Sequence, residues 1–214
     1  MNDETSPGPP DEGITRATLA LWDYRRTVAD LYATVRTAPG ADGWELWRTG
    51  RDRLFRDHPQ SPIAPERRAS FGGLDHWPYD PGYRVTASVV STRDRGIALP
   101  HSAEGATPAH SFGDAVFSLG GTEQRLTLYW LEEYSGGVFL PFRDATNGAI
   151  TYGGGRYLLD TAKGADLGVD GGRIVLDFNF AYHPSCAHDQ RWSCPLSPPA
   201  NHLGLRIEAG ERLG

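Results

Sequence analysis

Lysine is nearly absent from this 214-residue sequence: Lys163 is the only one, so all but one of the 21 basic residues are arginine. Set against 27 acidic residues this gives a formal charge of −6, and no long basic stripe breaks it apart from one Arg-rich stretch. Nucleic-acid binders carry an excess of Lys and Arg, so that class is disfavoured. Cysteine is scarce as well, at two residues, too few for a disulfide framework. No apolar run approaches the roughly 18 residues of a membrane helix, and the opening MNDETSPGPPDEG lacks the features of a signal peptide. The expectation is a cytoplasmic protein with no membrane partner and thiols reduced by default.

Glycine and proline are abundant instead. Together they make 42 residues, about one in five, well above the usual background. Hydrophobic residues at 39% and charged residues at 22% exclude a disordered acidic chain and a coiled coil. The length favours one domain, here expected over residues 14–214 behind a solvated tail at 1–13. The preference for arginine fits a GC-rich genome. An arginine inside a pocket would carry more meaning, because its planar guanidinium suits carboxylate or phosphate.

Apolar residues recur at helical spacing from about Thr15 to Arg36, through Leu21, Tyr24, Val28, Leu31, Tyr32 and Val35, and Pro39-Gly40 end the run. A second helix is expected from about Ala41 to Arg56. Trp44, Trp47, Leu54 and Phe55 form its apolar side, and Arg48, Arg51, Arg53 and Arg56 its solvated side. From Phe71 the period shifts towards two. Strands are expected at Tyr83–Val90, Ala115–Leu119, Arg125–Leu131, Gly137–Phe142, Ala149–Tyr152, Arg156–Leu159, Arg173–Phe178 and His202–Ile207. GGTEQ and RDATNG read as hairpin turns, the latter through Asn147-Gly148. Pro141 demands an edge or a bulge in its strand, and Ile97–His110 reads as a loop or a poor strand pair. The fold class is therefore α+β and mostly β: an antiparallel barrel or two-sheet sandwich of about eight short strands with two N-terminal helices, the β-rich part spanning about 71–210.

Three segments could carry chemistry. Phe142–Tyr157 contains three consecutive glycines followed by Arg156. A phosphate loop would need Lys and Ser or Thr after the last glycine; the sequence runs GRYLLD instead, so the glycines read as a bend, with Arg143 and Arg156 as a possible anion clamp. Asp177–Cys194 places Asp177, Asn179, Tyr182, His183, Cys186, His188, Arg191 and Cys194 within one short stretch. Imidazole and thiolate donors at His183, Cys186, His188 and Cys194 suit a transition metal, although the spacing matches no standard zinc module. A thiolate at Cys186 beside a histidine is an alternative nucleophile, and plain packing of a Pro-rich loop is the bland alternative. Finally, strand alternation sets Tyr129, Leu131 and Glu133 on one face and Trp130, Glu132 and Tyr134 on the other. A glutamate turned into a cavity would gain a raised pKa and suit acid–base work; an exposed pair is the commoner outcome.

LFRDHPQSPI (54–63), LTLYW (126–130), FLPFRDATNGAITYGGGRYL (139–158), FNFAYHPSCAHDQRWSCPLSPPANHL (178–203) and IEAGE (207–211) resemble the bacterial and archaeal family catalogued as domain of unknown function 1684. The resemblance runs from about Trp47 to Glu211. It implies no assigned reaction or cofactor. It implies cysteines at the positions of Cys186 and Cys194, but an asparagine where His183 stands and an aromatic residue where His188 stands. It also implies Pro-Pro-x-Glu-Asn-Arg-Leu where this chain has Pro198-Pro199-Ala200-Asn201-His202-Leu203, so a Glu and an Arg are missing here.

The leading expectation is a β domain that binds a small polar or anionic molecule. Arg143, Tyr152, Arg156, Tyr157, Asn179 and Tyr182 are its candidate binding residues, since polar groups in such segments are costly to bury unless they serve each other or a ligand. Were it an enzyme, Asp144, Asp177 or Cys186 would be catalytic, in acid–base or hydrolytic chemistry without a tightly bound organic cofactor. The alternatives are a thiol- or metal-dependent enzyme centred on Cys186, His188 and Cys194, and a non-catalytic interaction module. The aromatic surface of the first helix could dimerise or cap the β-rich part.

Overall fold

The structure, a computed structural model, describes residues 12–38, 40–132 and 136–214; most of the expected tail, Pro39, Glu133 and Tyr134 lie outside them. Helices α1 (Glu12–Thr37) and α2 (Ala41–Asp57) form where apolar residues recur with the helical period. Between them Gly40 takes φ 82°, a value open to glycine. The second half of α1 buries Val28, Tyr32 and Val35, while Leu19 and Trp22 in its first half stay exposed.

The apolar face of α2 includes a residue expected on the solvated side. Arg51 is buried with Trp47 and Phe55, because positions four apart fall on one helical stripe. Its guanidinium lies over the rings of Trp47, Phe55 and Tyr182. A short helix, α3 (Pro65–Arg68), follows.

Seven strands make one antiparallel sheet: β1 (Arg84–Pro100), β2 (Ala106–Leu119), β3 (Thr122–Leu131), β4 (Gly137–Phe142), β5 (Arg156–Asp160), β6 (Val169–Asp170) and β7 (Arg173–Asp177). Their order is β5-β4-β3-β2-β1-β7-β6, so β5 and β6 are edges and the sheet does not close into a barrel. The domain is mostly β with helices at its N-terminal end. Two cores flank the sheet. Ala115, Phe117, Leu126, Leu128, Leu140 and Phe142 pack with Leu203, Ile207 and Ala209 of the C-terminal segment. Tyr129, Phe139 and Tyr157 pack instead with Val28, Tyr32 and Trp47 of the helices. The alternation Leu128/Tyr129, Phe139/Leu140 and Tyr157/Leu158 sends neighbouring side chains to opposite cores.

Three sequence expectations are corrected. Residues 97–100 and 106–110 are well-paired strand joined by the turn at 101–105, running in register from Arg95↔Ser111 to Pro100↔Ala106. Ala149–Tyr152 is no strand, and RDATNG is no hairpin turn: the amides of Ala149, Ile150 and Thr151 fold back onto the Thr146 carbonyl, with Gly148 at φ 80°. His202–Ile207 forms a single bridge, His202 to Arg143: Leu203 N and Leu205 O pair with the backbone of Arg143 and Ala145, but both backbone groups of Ile207 serve the buried side chains of Asp144 and Arg156 instead. Pro141 does sit at a register shift between β4 and β5, as its missing N–H requires.

Candidate functional site

The polar residues of the two long motifs separate into distinct clusters. Arg156, at the start of β5 and fully buried, donates to the carbonyls of Ala209, Glu211 and Ile207 and pairs with Asp144 at 3.3 Å. Asp144 also accepts from Ile207 N (2.7 Å), Thr146 N (3.3 Å) and Thr146 Oγ1 (2.9 Å). This cluster clamps the C-terminal segment to the sheet. Burial lowers the Arg156 pKa to about 10, with the Asp144 carboxylate opposing the fall. Arg143 stands apart from it, half-buried, with its backbone paired to Asn201 and Leu203. The glycines before Arg156 serve close packing. At Gly155, φ 99°, a Cβ would lie 2.7 Å from the Phe142 carbonyl oxygen and 2.8 Å from Ser197 Cβ.

A second cluster centres on Glu211. Arg51 Nε donates to Glu211 Oε1 at 2.8 Å, and Arg51 Nη2 makes a second, shorter contact to the same oxygen. The His183 amide donates to Oε2 at 2.7 Å. The ring nitrogens His76 Nε2 and His183 Nδ1 stand 3.9 and 3.8 Å from the carboxylate. Burial pulls the Glu211 pKa up, but the Arg51 charge outweighs it and the carboxylate stays ionised. Burial drives all three neighbouring imidazoles down, His183 to about 3 and His76 and His188 in the same direction, so they are neutral at neutral pH.

His183, His188 and Glu211 bring one ligand atom each within 4.8 Å of one another, the only such trio among the described residues. Two of the four expected metal donors, His183 and His188, thus meet Glu211, while Cys186 and Cys194 pair with each other. The trio does not fit a metal ion. His183 Nε2 accepts the Tyr152 amide at 3.2 Å, so in the neutral ring Nδ1 carries the proton. Binding through Nδ1 would put a proton on Nε2, against the Tyr152 N–H. Glu211 already has both oxygens engaged by Arg51 and His183.

A cleft of about 330 Å³ lies between α1, α2 and the loop 182–195. Tyr24, Tyr32, Tyr157 and Tyr182 wall it, and among the described residues its charged lining groups are Arg25, Arg51 and Lys163, with no carboxylate. Tyr157 and Tyr182 are expected binding residues that do reach a cavity. Burial raises the pKa of all four phenols, so they remain neutral hydrogen-bonding groups. The Tyr32 hydroxyl is buried beside the Trp47 indole N–H, with no well-formed hydrogen bond among the described residues. Lys163 Nζ donates to Asp160 at 2.6 Å from behind the wall and its side chain is 40% exposed.

Asp177 and Asn179 occupy a third place. Asn179 donates its amide and Nδ2 to Asp177 Oδ1 (3.0 and 2.7 Å) and brackets Asp80 through both ends of its carboxamide. Asp177 Oδ2 has only the Tyr79 hydroxyl, at 3.5 Å, and the residue lines a cavity of about 190 Å³ with Arg36 and Arg84. Burial raises its pKa against the Asn179 hydrogen bonds. Tyr152 and Cys186 line a further open cavity with His188. Glu132 is exposed, 3.8 Å from His110, and Glu133 is outside the described residues.

Sequence reasoning missed Arg51, His76, Glu211 and the position of Lys163. The spacing of Arg51 with Trp47 and Phe55 was the available signal.

The fold and its sites define a mostly-β domain whose N-terminal helices cover one core and whose buried polar clusters are drawn from the 140s, the 177–194 loop and the C-terminal strand-free segment. The chain belongs to the family described as protein of unknown function DUF1684, which matches residues 69–212. The solution NMR structure of an uncharacterised protein from Haloarcula marismortui is similar, with 39% sequence identity and a TM-score of 0.57, over 78% of this chain and 90% of that one. No curated protein matches the chain. No helix among the described residues is long and apolar enough to cross a membrane.

Proposed function

We propose that this protein binds a small organic anion in the cleft between its N-terminal helices and the 182–195 loop. One observation carries the reading: in a protein of net charge −6, the charged groups that line the cleft among the described residues are Arg25, Arg51 and Lys163, with no acidic side chain beside them. Arg51 is neutralised by Glu211, and Lys163 donates one of its three N–H groups to Asp160. The ammonium therefore keeps donors for a carboxylate or phosphate, while four tyrosine rings offer flat apolar walls to the rest of the ligand. The volume falls at the small end of ligand sites.

The test is thermal unfolding at low ionic strength with benzoate, hexanoate, inorganic phosphate and hexylamine as probes. The carboxylates should raise the midpoint with concentration and hexylamine should not. The carboxylate effect should disappear in Lys163→Met. Equal shifts with the amine, or shifts that survive the substitution, refute the reading.

A second reading, acid–base catalysis, is favoured by Asp177 over Asp144. Asp144 has donors on both oxygens, whereas Asp177 keeps one oxygen nearly free beside a cavity, with a raised pKa. That combination suits a general acid or base.

A further inference from the structure

Cys186 and Cys194 stand on the seam between two cavities. Cys194 lines the helix–sheet cleft. Cys186 lines an open cavity of about 830 Å³ with Ser102, Tyr152, His188 and Arg67. Both are free thiols, and their side chains are near enough for each sulfur to act on the other's proton. Each is fixed from its own backbone. Cys186 sits in the 3₁₀ turn Ser185–Ala187. Cys194 is tied to Ser102 in both directions, its carbonyl accepting the Ser102 amide at 2.9 Å and its amide donating to Ser102 Oγ at 3.2 Å. A hydroxyl completes the group: Cys186 Sγ and Tyr152 OH are hydrogen-bonded at 3.6 Å.

We infer that Cys186 and Cys194 form a redox-active dithiol that takes a hydroperoxide as its oxidant, with Cys186 attacking and Cys194 resolving. The two sulfurs do not have equivalent surroundings. The Cys194 S–H holds the Cys186 thiol at about 6 against burial, helped by the Ser102 and Tyr152 hydroxyls. The same contact, together with burial, drives Cys194 upward. Cys186 is thus the thiolate, the nucleophilic form; its side chain is buried and that of Cys194 half-buried, but Cys186 lines the open cavity through which a small peroxide would reach it. Tyr152, raised to about 12 by burial and then by the neighbouring sulfur, remains a phenol and can donate to that thiolate.

In the first step the Cys186 thiolate attacks one peroxide oxygen. An S–O bond forms, the O–O bond breaks, and the leaving oxygen departs as hydroxide or alkoxide and takes a proton from solvent. Sulfur loses two electrons and the peroxide gains them, leaving a sulfenic acid at Cys186. In the second step Cys194 gives up its proton and attacks the Cys186 sulfur. The S–S bond forms as the S–O bond breaks, and the hydroxyl leaves with that proton as water. Because the two side chains are neighbours, closure calls first on rotation about their Cα–Cβ bonds to reach disulfide geometry. A small dithiol reverses it by exchange.

The reaction is independent of anion binding in the adjacent cleft, and so is its test. Reduced, desalted full-length protein is treated with one equivalent of hydrogen peroxide at neutral pH, then with N-ethylmaleimide, and its intact mass is measured. The expected product has lost two hydrogen atoms, carries no maleimide, and regains both reactive thiols with dithiothreitol. Cys194→Ser should stop at a sulfenic acid on Cys186 that dimedone traps, and Cys186→Ser should leave Cys194 unoxidised. In the unoxidised protein, the rate of Cys186 alkylation by iodoacetamide should rise with a midpoint near 6. Two maleimide-reactive thiols after peroxide treatment, dimedone capture at Cys194, or an alkylation midpoint above that of an ordinary thiol each overturn the inference.

Discussion

Acid should destabilise this protein through His183 before its carboxylates are protonated. The ring is buried and neutral, its pKa lowered from 6.5 to about 3 by burial, against which the Glu211 charge pulls upward. In the unfolded chain the same imidazole titrates near 6.5. Between those values the unfolded state holds a proton that the folded state lacks, so folded stability falls as pH falls, by about 1.4 kcal/mol per pH unit. From about pH 6.5 to pH 4 the loss from this one group is about 3 kcal/mol, a large share of a typical domain stability of about 5–15 kcal/mol. His76 and His188 are shifted in the same direction by burial and add to it. The contribution is isolated by His183→Asn, the residue that the family pattern implies at this position. A carboxamide can accept the Tyr152 amide through oxygen and face Glu211 through nitrogen, reproducing the donor and acceptor of the neutral ring with no proton to take up. Urea unfolding followed by tryptophan fluorescence, at neutral pH and at about pH 4, gives the two stability differences. The wild-type loss should exceed the variant loss by about 3 kcal/mol. Equal losses would refute the reasoning, because the imidazole would then carry the same charge in both states.

The Arg51–Glu211 pair should be far more sensitive to removal of one partner than of both. Glu211→Gln leaves a buried guanidinium without its counter-charge and should cost about 3–5 kcal/mol in denaturant unfolding, whereas Arg51→Met with Glu211→Leu should cost much less than the sum of the single changes; strictly additive losses would contradict the geometry. Gly155→Ala should lower the melting temperature well beyond Gly148→Ala. Both have positive φ, but a Cβ at 155 meets the Phe142 carbonyl oxygen at 2.7 Å while one at 148 meets open space, where strain alone costs about 1 kcal/mol.

The elements that read well from sequence are those with one wet and one dry face. The helices of 12–37 and 41–57 and the 115–119 end of β2 show their period because burial alternates along them. The second half of β1 hides its nature, since residues 89–96 are exposed and Arg93, Asp94 and Arg95 interrupt any apolar alternation. Residues 202–207 failed in the opposite way. Leu203 and Ile207 look like strand residues and are buried, but the ladder stops after Leu205, and the Ile207 amide and carbonyl satisfy the Asp144 and Arg156 side chains. The loop 177–194 was marked by its density of His, Cys, Asp and Tyr, and the structure does place it against both larger clusters. Arg51 and Glu211, 160 residues apart, meet only through the tertiary fold, which no local pattern records. The charge of Arg51 also masked the Trp47–Arg51–Phe55 stripe to which it belongs.

The clamp on the C-terminal segment has a consequence for how the chain is made. Arg156 and Asp144 are synthesised long before Ile207, Ala209 and Glu211, the residues whose backbone groups satisfy them across separations of 51–63 positions. Until that stretch leaves the ribosome, a guanidinium and a carboxylate destined for full burial must stay hydrated, and the sheet face made by Leu128, Leu140 and Phe142 lacks its Ile207 and Ala209 cover. Arg51 likewise waits for Glu211. The order of synthesis therefore postpones closure of both cores until residues 207–211 have emerged, and the growing chain stays open until then where the folded domain is most tightly shut.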